Sequence, residues 1–239
     1  MDAPPECRKI LSAEAVCDGG GGSTALRDVN VRIEENTLNL FFGEPGCGKN
    51  RLLRLLGLLE PPNQGEILYR DTPTRALSEE ERAGLRNRHF GFLFAEPYLL
   101  PSFSVVENVA MPFLRNAAAD SDAALTRTRT LLDFVGLADR EQLAVAELSR
   151  AEQQRVSLAR ALINQPEIVM VEAIDGGSEG VALLEFCGTL RRAAEEFAAT
   201  IIVTASSGAL AGAMDHSFEL ARGVLRPLAG YRQGGGVRA

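Results

Sequence analysis

The apolar positions of the chain are grouped into short runs, with longer stretches of mixed polarity between them. The most continuous runs lie at residues 37–42, 168–171 and 200–204. Apolar runs of this length between helical stretches are typical of strands that are buried on both faces of a parallel sheet. Further strands are predicted at about 9–16, 26–33 and 66–70. The first two of these are separated by a glycine-rich turn.

The stretches between these runs predict helices. An apolar helix is predicted at 51–60, ending at the two prolines that follow it. Apolar residues cover nearly all of its faces, which indicates a helix buried inside the fold. The middle of the chain, about 78–165, is rich in helix, and Ser78 followed by three glutamates is typical of a helix N-terminus. A long helix is predicted at about 180–198, and a mobile, glycine-rich tail at about 229–239.

The composition of the 239 residues narrows the class of protein. Hydrophobic residues make up 46% and charged residues 24%, the balance of one ordinary folded α/β domain. A net charge of −7 argues against a dedicated nucleic-acid-binding protein. The four cysteines lack metal-ligand spacing, no secretory leader is visible, and no apolar run approaches the roughly 18 residues that span a bilayer. We therefore expect a cytoplasmic chain that reaches a membrane only through a partner.

A glycine-rich stretch, GEPGCGKN, follows the strand at 37–42 and precedes the apolar helix. It matches the loop in which backbone N–H groups turn toward a phosphate and a lysine, here Lys49, reaches the terminal phosphates. The following helix adds the positive end of its dipole. The residues predicted to hold the phosphates are Gly43, Glu44, Pro45, Gly46, Cys47, Gly48, Lys49, Asn50 and Arg51. The alternative interpretation is a glycine turn that only joins a strand to a helix.

Longer stretches of the chain carry a resemblance to a known family. Besides the phosphate loop they include ALRDV at 25–29, LRNRHFGFLF at 85–94, LLPSFSVVENVAMPFL at 99–114 and LSRAEQQRVSLARALINQPEIVMV at 148–171. In this order they resemble the ATP-binding subunits of ABC transporters, and specifically the lipoprotein-releasing and macrolide-exporter branch. The resemblance covers nearly the whole chain.

This resemblance implies a fold class and a division of the chain. The fold is α/β, a P-loop NTPase core with a parallel sheet, an N-terminal antiparallel β-subdomain and an inserted α-helical subdomain. We expect one nucleotide-binding domain over 1–239. Its core is expected at about 9–86 and 166–228, with the helical subdomain at about 87–165.

The chain departs from the family pattern at the positions that carry ATP hydrolysis. The Q-loop glutamine aligns with Ala95, the general base with Ala173 and the switch histidine with Ala205. A methyl group cannot accept a proton or orient water, so we assign no catalytic residue and predict that hydrolysis is lost or very weak. Glu96 and Asp175, which neighbour two of these alanines, are interpreted as solvated loop carboxylates rather than substitutes.

The signature motif of the family, LSGGQ, is altered as well. It reads LSRAE here, comprising Ser149, Arg150, Ala151 and Glu152 after the leucine. Arg150 therefore places a long side chain where a glycine backbone is expected to approach the partner subunit's nucleotide. The D-loop at 176–179 reads GGSE.

The cofactor expected from the resemblance is ATP, bound weakly or vestigially. Residues 1–40 contain no Phe, Tyr or Trp, so the aromatic ring that stacks on adenine is absent, a loss of about 1–3 kcal/mol. Asn50 replaces the Ser or Thr that coordinates Mg²⁺, and Glu172 replaces the metal-linked aspartate. Because Mg²⁺ demands well-placed small oxygen ligands, its binding is doubtful. Asn50 and Glu172 are candidate metal ligands for a weak site at most.

The partners implied by the resemblance are a transmembrane permease and a second ABC ATPase subunit, identical or paralogous, on the inner face of the plasma membrane. Within 96–112, the segment expected to contact the permease, the apolar residues are Leu99, Leu100, Phe103 and Val106. Their alternative interpretation is ordinary core. A slow residual ATPase and a non-transport regulatory scaffold remain alternative functions for the whole chain.

Overall fold

The computed structural model describes residues 8–19, 25–115, 120–172 and 181–228. Its strands are β1 (Lys9–Asp18), β2 (Leu26–Glu34), β3 (Leu38–Phe42), β4 (Gln64–Tyr69), β5 (Thr72–Pro73), β6 (Phe90–Leu93), β7 (Ile168–Val171), β8 (Thr200–Ala205), β9 (His216–Ala221) and β10 (Val224–Pro227). Its α-helices are α1 (Lys49–Leu56), α2 (Glu79–His89), α3 (Val105–Leu114), α4 (Ser121–Phe134), α5 (Arg150–Leu162) and α6 (Val181–Phe197). Short 3-10 turns occur at Ala138–Arg140, Val145–Glu147 and Gly208–Ala213.

The strands form two sheets. A four-stranded antiparallel sheet has the order β2-β1-β4-β5, and a six-stranded sheet has the order β10-β9-β3-β8-β7-β6. In the larger sheet β9, β3, β8, β7 and β6 run parallel, and β10 pairs with β9 in the antiparallel direction. The predicted parallel sheet is confirmed. Because the strands are parallel, the loops that follow β3, β8, β7 and β6 all leave the same edge of the sheet.

The parallel strands β3, β7 and β8 are buried on both faces, as their apolar runs predicted. Along β7, Ile168 and Met170 pack into a core shared with β1, β2 and α1, whereas Val169 and Val171 pack into a second core shared with α3, α4, α5 and α6. All four side chains are buried. Full burial of such a side chain stabilises the fold by about 1.5–3 kcal/mol.

Helix α1 ends earlier than the sequence predicted. It was expected to reach residue 60, but it stops at Leu56, and the N–H of Gly57 bonds to the carbonyl of Leu53. Leu58 then adopts a positive φ of 55°. A residue in the left-handed region cannot continue a right-handed helix. The helix therefore ends although the apolar residues continue beyond it.

Strand β6 lies inside the range predicted as the helical subdomain. Phe90–Leu93 pairs with β7 and forms one edge of the larger sheet. The helix-rich segment therefore leaves the sheet only after Leu93, and β9 and β10 were not predicted either. The division of the chain into subdomains stays a prediction, and the predicted tail at 229–239 lies outside the described residues.

Serine side chains begin three of the helices. Ser78, Ser104 and Ser149 are the N-caps of α2, α3 and α5, each in a reciprocal capping box with a glutamate. The predicted N-terminus at Ser78 is confirmed. Among the described helices, none combines the length and the apolar character needed to cross a membrane.

Candidate nucleotide site

The phosphate loop begins where β3 ends, between β8 and β9. The N–H of Gly43 bonds to the carbonyl of Ala205 on β8 at 3.3 Å. A Cβ at Gly43 would stand only 2.3 Å from the carbonyl oxygen of Leu220 on β9 and 2.8 Å from Cys47 Sγ. Only glycine fits between these strands. Gly48, the N-cap of α1, has φ of 103°, which favours glycine in the turn into the helix.

Lys49 is the charged centre of this loop. Its side chain is buried, and its Nζ donates to the carbonyls of Gly43 at 3.0 Å and Glu44 at 3.4 Å. Within the described ranges it makes no ion pair, so a carboxylate does not neutralise its charge there. The chain thus curls around an ammonium group at the start of α1, where the helix dipole is positive. This arrangement suits an anion of the size of a phosphate.

The two residues after Lys49, Asn50 and Arg51, bond to different parts of the protein. Asn50 Oδ1 accepts a hydrogen bond from the hydroxyl of Thr204 on β8 at 3.5 Å. The guanidinium of Arg51 bonds to the carboxylates of Asp18 and Glu60. The hydrogen bond to Asp18 is the main cause that raises the pKa of Arg51 above its usual value. Sequence reasoning missed both carboxylates, because no local pattern links Arg51 to Asp18, 33 residues away, or to Glu60 beyond the end of α1.

The structure places Ala95, Glu172 and Ala205, which were predicted to replace residues of ATP hydrolysis, beside the phosphate loop. Ala205 ends β8 opposite Phe42, the last residue of β3. Glu172 follows β7, and its N–H bonds to the carbonyl of Leu93 at 2.8 Å, at the end of β6. Ala95 lies just past that point. The positions of Ala95, Glu172 and Ala205 therefore share one edge of the sheet with the loop. Ala173, Asp175 and the D-loop at 176–179 lie outside the described residues.

Asn50 and Glu172, the candidate metal ligands predicted from the sequence, have different surroundings. Asn50 Oδ1 already accepts from Thr204, and Glu172 is half-buried beside Phe92 and Met170. In the part of the chain that the structure describes, no group of three or more His, Cys, Asp and Glu side chains could hold a metal ion. One amide and one carboxylate would leave the other positions of an octahedral Mg²⁺ to water and to nucleotide phosphates.

At the start of α5, in the segment predicted to be an altered signature, Ser149 and Glu152 hydrogen-bond to each other. Ser149 Oγ accepts from the N–H of Glu152 at 3.3 Å, and the Glu152 carboxylate accepts from the Ser149 N–H at 2.8 Å and from its hydroxyl at 2.6 Å. The hydrogen bond from the Ser149 side chain is the main cause that lowers the pKa of Glu152. A carboxylate thus occupies the helix N-terminus, where an incoming anion would otherwise be stabilised.

Arg150 extends from this helix start toward the edge of the sheet. Its Nη2 donates to the carbonyl of Ala95 at 3.2 Å, and its Nη1 lies 3.9 Å from the Glu96 carboxylate. Two positions at which the family pattern is broken, Ala95 and Arg150, are therefore in contact. Ala151 is exposed beside them.

An apolar groove lies along α3 and the segment before it. Of the seven large hydrophobic side chains that are exposed in the described residues, five belong to 98–114. They are Tyr98, Leu100, Phe103, Met111 and Leu114. A groove lined by Phe103, Met111 and Leu114, but not by Tyr98 or Leu100, has a volume of about 620 Å³. Of the other residues expected here, Leu99 packs against the core and Val106 is half-buried.

The fold and the loop define a P-loop nucleotide-binding domain of the cassette type. The family model described as ABC transporter matches residues 26–172. The chain belongs to the ABC transporter family, and its predicted fold class is confirmed.

Relatives and solved structures agree with this assignment. The chain is 33% identical over 226 residues to the lipoprotein-releasing system ATP-binding protein LolD of Shewanella denitrificans, covering 92% of this chain and 96% of that protein. It is also 33% identical over 231 residues to LolD of Bordetella pertussis, covering 95% and 100%. The dimeric structure of MJ0796, a bacterial ABC transporter cassette, superimposes with a TM-score of 0.81 at 25% identity, covering 93% and 100%.

Proposed function

We propose that this chain is a hydrolysis-deficient ATP-binding subunit of an ABC transporter of the lipoprotein-releasing or macrolide-exporter type. The observation that supports this proposal is a contrast between residues along one edge of the larger sheet. A cradle built from glycine backbone and buried Lys49 lies beside Ala95 and Ala205, which have no group for hydrolysis. The chain in this proposal binds the phosphates of a nucleotide and does not turn it over.

The expected loss of rate follows from the side chains that are replaced. A positioned general base contributes about 10²–10⁴ in rate, and a transition-state hydrogen bond about 10²–10³. These factors are not multiplied, because groups that act as a unit do not contribute additively. Loss of either one brings turnover close to background. Poor oxygen ligands at Asn50 and Glu172 make Mg²⁺ binding weak in this proposal.

The site contributed to a partner subunit is impaired as well. In the family two cassettes sandwich nucleotide, each phosphate loop facing the signature of the other. In this proposal the capping box of Ser149 and Glu152 places a carboxylate at the start of α5, and that negative charge disfavours an incoming phosphate. The long side chain of Arg150 adds a steric obstacle. A complex that uses this subunit therefore lacks ordinary ATP-driven cycling.

The apolar groove at 98–114 supports docking on a membrane permease. Exposed apolar patches of this kind mark protein interaction surfaces. Relatives named as lipoprotein-releasing system ATP-binding proteins match the chain over almost its whole length. The subunit in this proposal is held peripherally at the inner face of the plasma membrane, beside a second ABC subunit.

Phosphate release by the purified transporter complex tests this function. We expect turnover near background, unchanged by Lys49→Ala in this chain. Restoring Ala173→Glu and Ala205→His together should raise turnover only slightly, since the signature stays altered. Robust hydrolysis that disappears with Lys49→Ala contradicts the proposal. A titration of the chain with ATP, with and without Mg²⁺, should give weak binding that the metal changes little.

A further inference from the structure

The segment between β6 and α3 is held in place by side chains rather than by secondary structure. Residues 94–103 form neither helix nor strand, and Pro97 and Pro101 have no N–H group to donate. Tyr98 adopts a positive φ of 45°, a conformation that residues with a Cβ rarely take. Such a conformation persists where the surrounding structure imposes it. Other groups of the protein therefore hold the backbone at Tyr98.

Arg160 of α5 is the side chain that bonds to this strained point. Its Nη1 donates to the carbonyl of Tyr98 at 2.8 Å, and its Nη2 donates to the carbonyl of Pro97. These two carbonyls belong to the peptide groups on either side of Tyr98. The Arg160 side chain is half-buried, and burial lowers the pKa of its guanidinium below the ordinary value. Because the N–H groups of a guanidinium are fixed in one plane, one side chain fixes both peptide groups.

Two further side chains fasten the same segment. Arg150, at the start of α5, donates to the carbonyl of Ala95 at 3.2 Å, but its side chain is 56% exposed. Asn108 of α3 is buried and bonds to both backbone groups of Leu100, accepting from the N–H at 2.7 Å and donating to the carbonyl at 3.1 Å. The exposed apolar side chains of this segment thus stand on a backbone that is fastened to two helices.

We propose that Arg160 is the positioning residue of the apolar docking surface at 98–114. It sets the backbone on both sides of Tyr98, so this exposed ring and the apolar residues after it are in place before a partner binds. The proposal rests on the proposed docking on a membrane permease and adds the residue that fixes the geometry of the surface. Preorganisation of this kind lowers the ordering cost of binding. Because Arg160 and the altered signature belong to one helix, α5 and the docking surface move as one body.

Limited proteolysis of the full chain with chymotrypsin tests the proposal, because Tyr98 is 68% exposed and lies outside the helices and strands. The rate of cleavage after Tyr98, followed by mass spectrometry, measures how often the segment is released. The wild type should be cut slowly. Arg160→Gln should raise the rate about 10-fold to 150-fold, the range for loss of a hydrogen bond to a charged group. Arg160→Lys, which keeps a donor for one carbonyl, should give an intermediate rate.

Arg155 supplies a matched control on the same helix. Its Nη1 donates to the carbonyl of Val135 at 3.3 Å, just after α4, so Arg155→Gln should leave cleavage after Tyr98 unchanged. Arg150→Ala should raise that cleavage by at most about 5-fold, because exposed pairs contribute little. Cleavage after Phe41, which is buried in the core, measures global unfolding and should rise far less than cleavage after Tyr98.

Cleavage of Arg160→Gln after Tyr98 at the wild-type rate overturns the proposal, as does an equal rise after Tyr98 and Phe41. A larger effect of Arg155→Gln or Arg150→Ala also overturns it. If Arg160→Gln does not fold, judged by its thermal transition, the Arg160→Lys result decides. Assembly into the purified transporter complex should protect Tyr98 further. Equal cleavage in the complex and in the free chain overturns the proposed docking surface, while the rates in the free chain still decide whether Arg160 holds the segment.

Discussion

The starts of α1 and α5 are two helix N-termini that the family uses to hold phosphate, and they differ in how their backbone groups are satisfied. Helix α1 follows Gly48, which gives no side-chain cap, and its first turn contains no acidic residue. Helix α5 follows Ser149, which forms a capping box with Glu152 in the first turn. The start of α1 is open in the sense that no side chain caps it, and the start of α5 is closed in the sense that its own side chains bond the N–H groups of Ser149 and Glu152.

This difference indicates that the first N–H groups of a helix can bond either to a bound anion or to side chains of the same helix. The first N–H groups of a helix lack partners inside the helix, and a side chain or a bound anion supplies them. At α5 the Glu152 carboxylate and the Ser149 hydroxyl are the partners of the Ser149 and Glu152 N–H groups. Under the proposed function the chain keeps its own phosphate site, and the carboxylate weakens the site that α5 would offer to a partner subunit.

Removing the charge at the open start should have the largest effect. Lys49→Ala should weaken ATP and tripolyphosphate binding about 10-fold to 150-fold, because a hydrogen bond to a charged group contributes about 1.5–3 kcal/mol. Calorimetric titration measures the change. Lys9→Ala is the control, since Lys9 pairs with Asp71 on the antiparallel sheet. Unchanged binding by Lys49→Ala would show that the start of α1 does not hold phosphate.

A methyl group at Gly43, in the phosphate loop, should destabilise the fold. Gly43→Ala places a Cβ 2.3 Å from the Leu220 carbonyl oxygen, and overpacking of this kind typically costs about 1–3 kcal/mol. Gly188→Ala is the matched control, because its Cβ meets nothing within 4 Å on α6. Alanine there should stabilise the protein by up to about 1 kcal/mol. Chemical denaturation that ranks the two variants in the opposite order would disprove the role of packing at Gly43.

Part of the fold and of the candidate site could be predicted from the sequence, and the remainder depends on tertiary contacts. The phosphate loop, the parallel strands and the cap at Ser78 depend on local residue types and periodicity, so they were predicted. Strand β6 was missed because Gly91 interrupts its apolar residues, whereas the four residues of β7 form an uninterrupted apolar run. The bonds of Arg51 to Asp18 and Glu60 arise from tertiary packing, and no local pattern indicates them. The contact of Arg150 with Ala95 depends on the same packing.

Removing the serine at the closed start should have a moderate effect on stability. Ser149→Ala deletes the N-cap oxygen of α5 and should lower the free energy of unfolding by about 0.5–2 kcal/mol. Thermal unfolding measures the change, with Ser102→Ala, an exposed serine outside the helices, as the control. Equal stability of Ser149→Ala and the wild type would mean that the start of α5 is open after all.

The smallest expected effect is a pH dependence of folding stability, which arises from Glu152 at the start of α5. Its pKa is lowered in the folded chain, chiefly by the hydrogen bond from Ser149. A lowered folded pKa means that the stabilisation is complete above the unfolded value, near about 4.3, and is lost as the pH falls through the folded value. Glu152→Gln should therefore be less stable than the wild type at neutral pH, and the difference should shrink on acidification. Thermal unfolding of both proteins from pH 7 to pH 3 measures this, with Glu195→Gln, an exposed carboxylate of α6, as the control. A stability difference that stays constant over this range would mean that the charge of Glu152 does not contribute to the closed start.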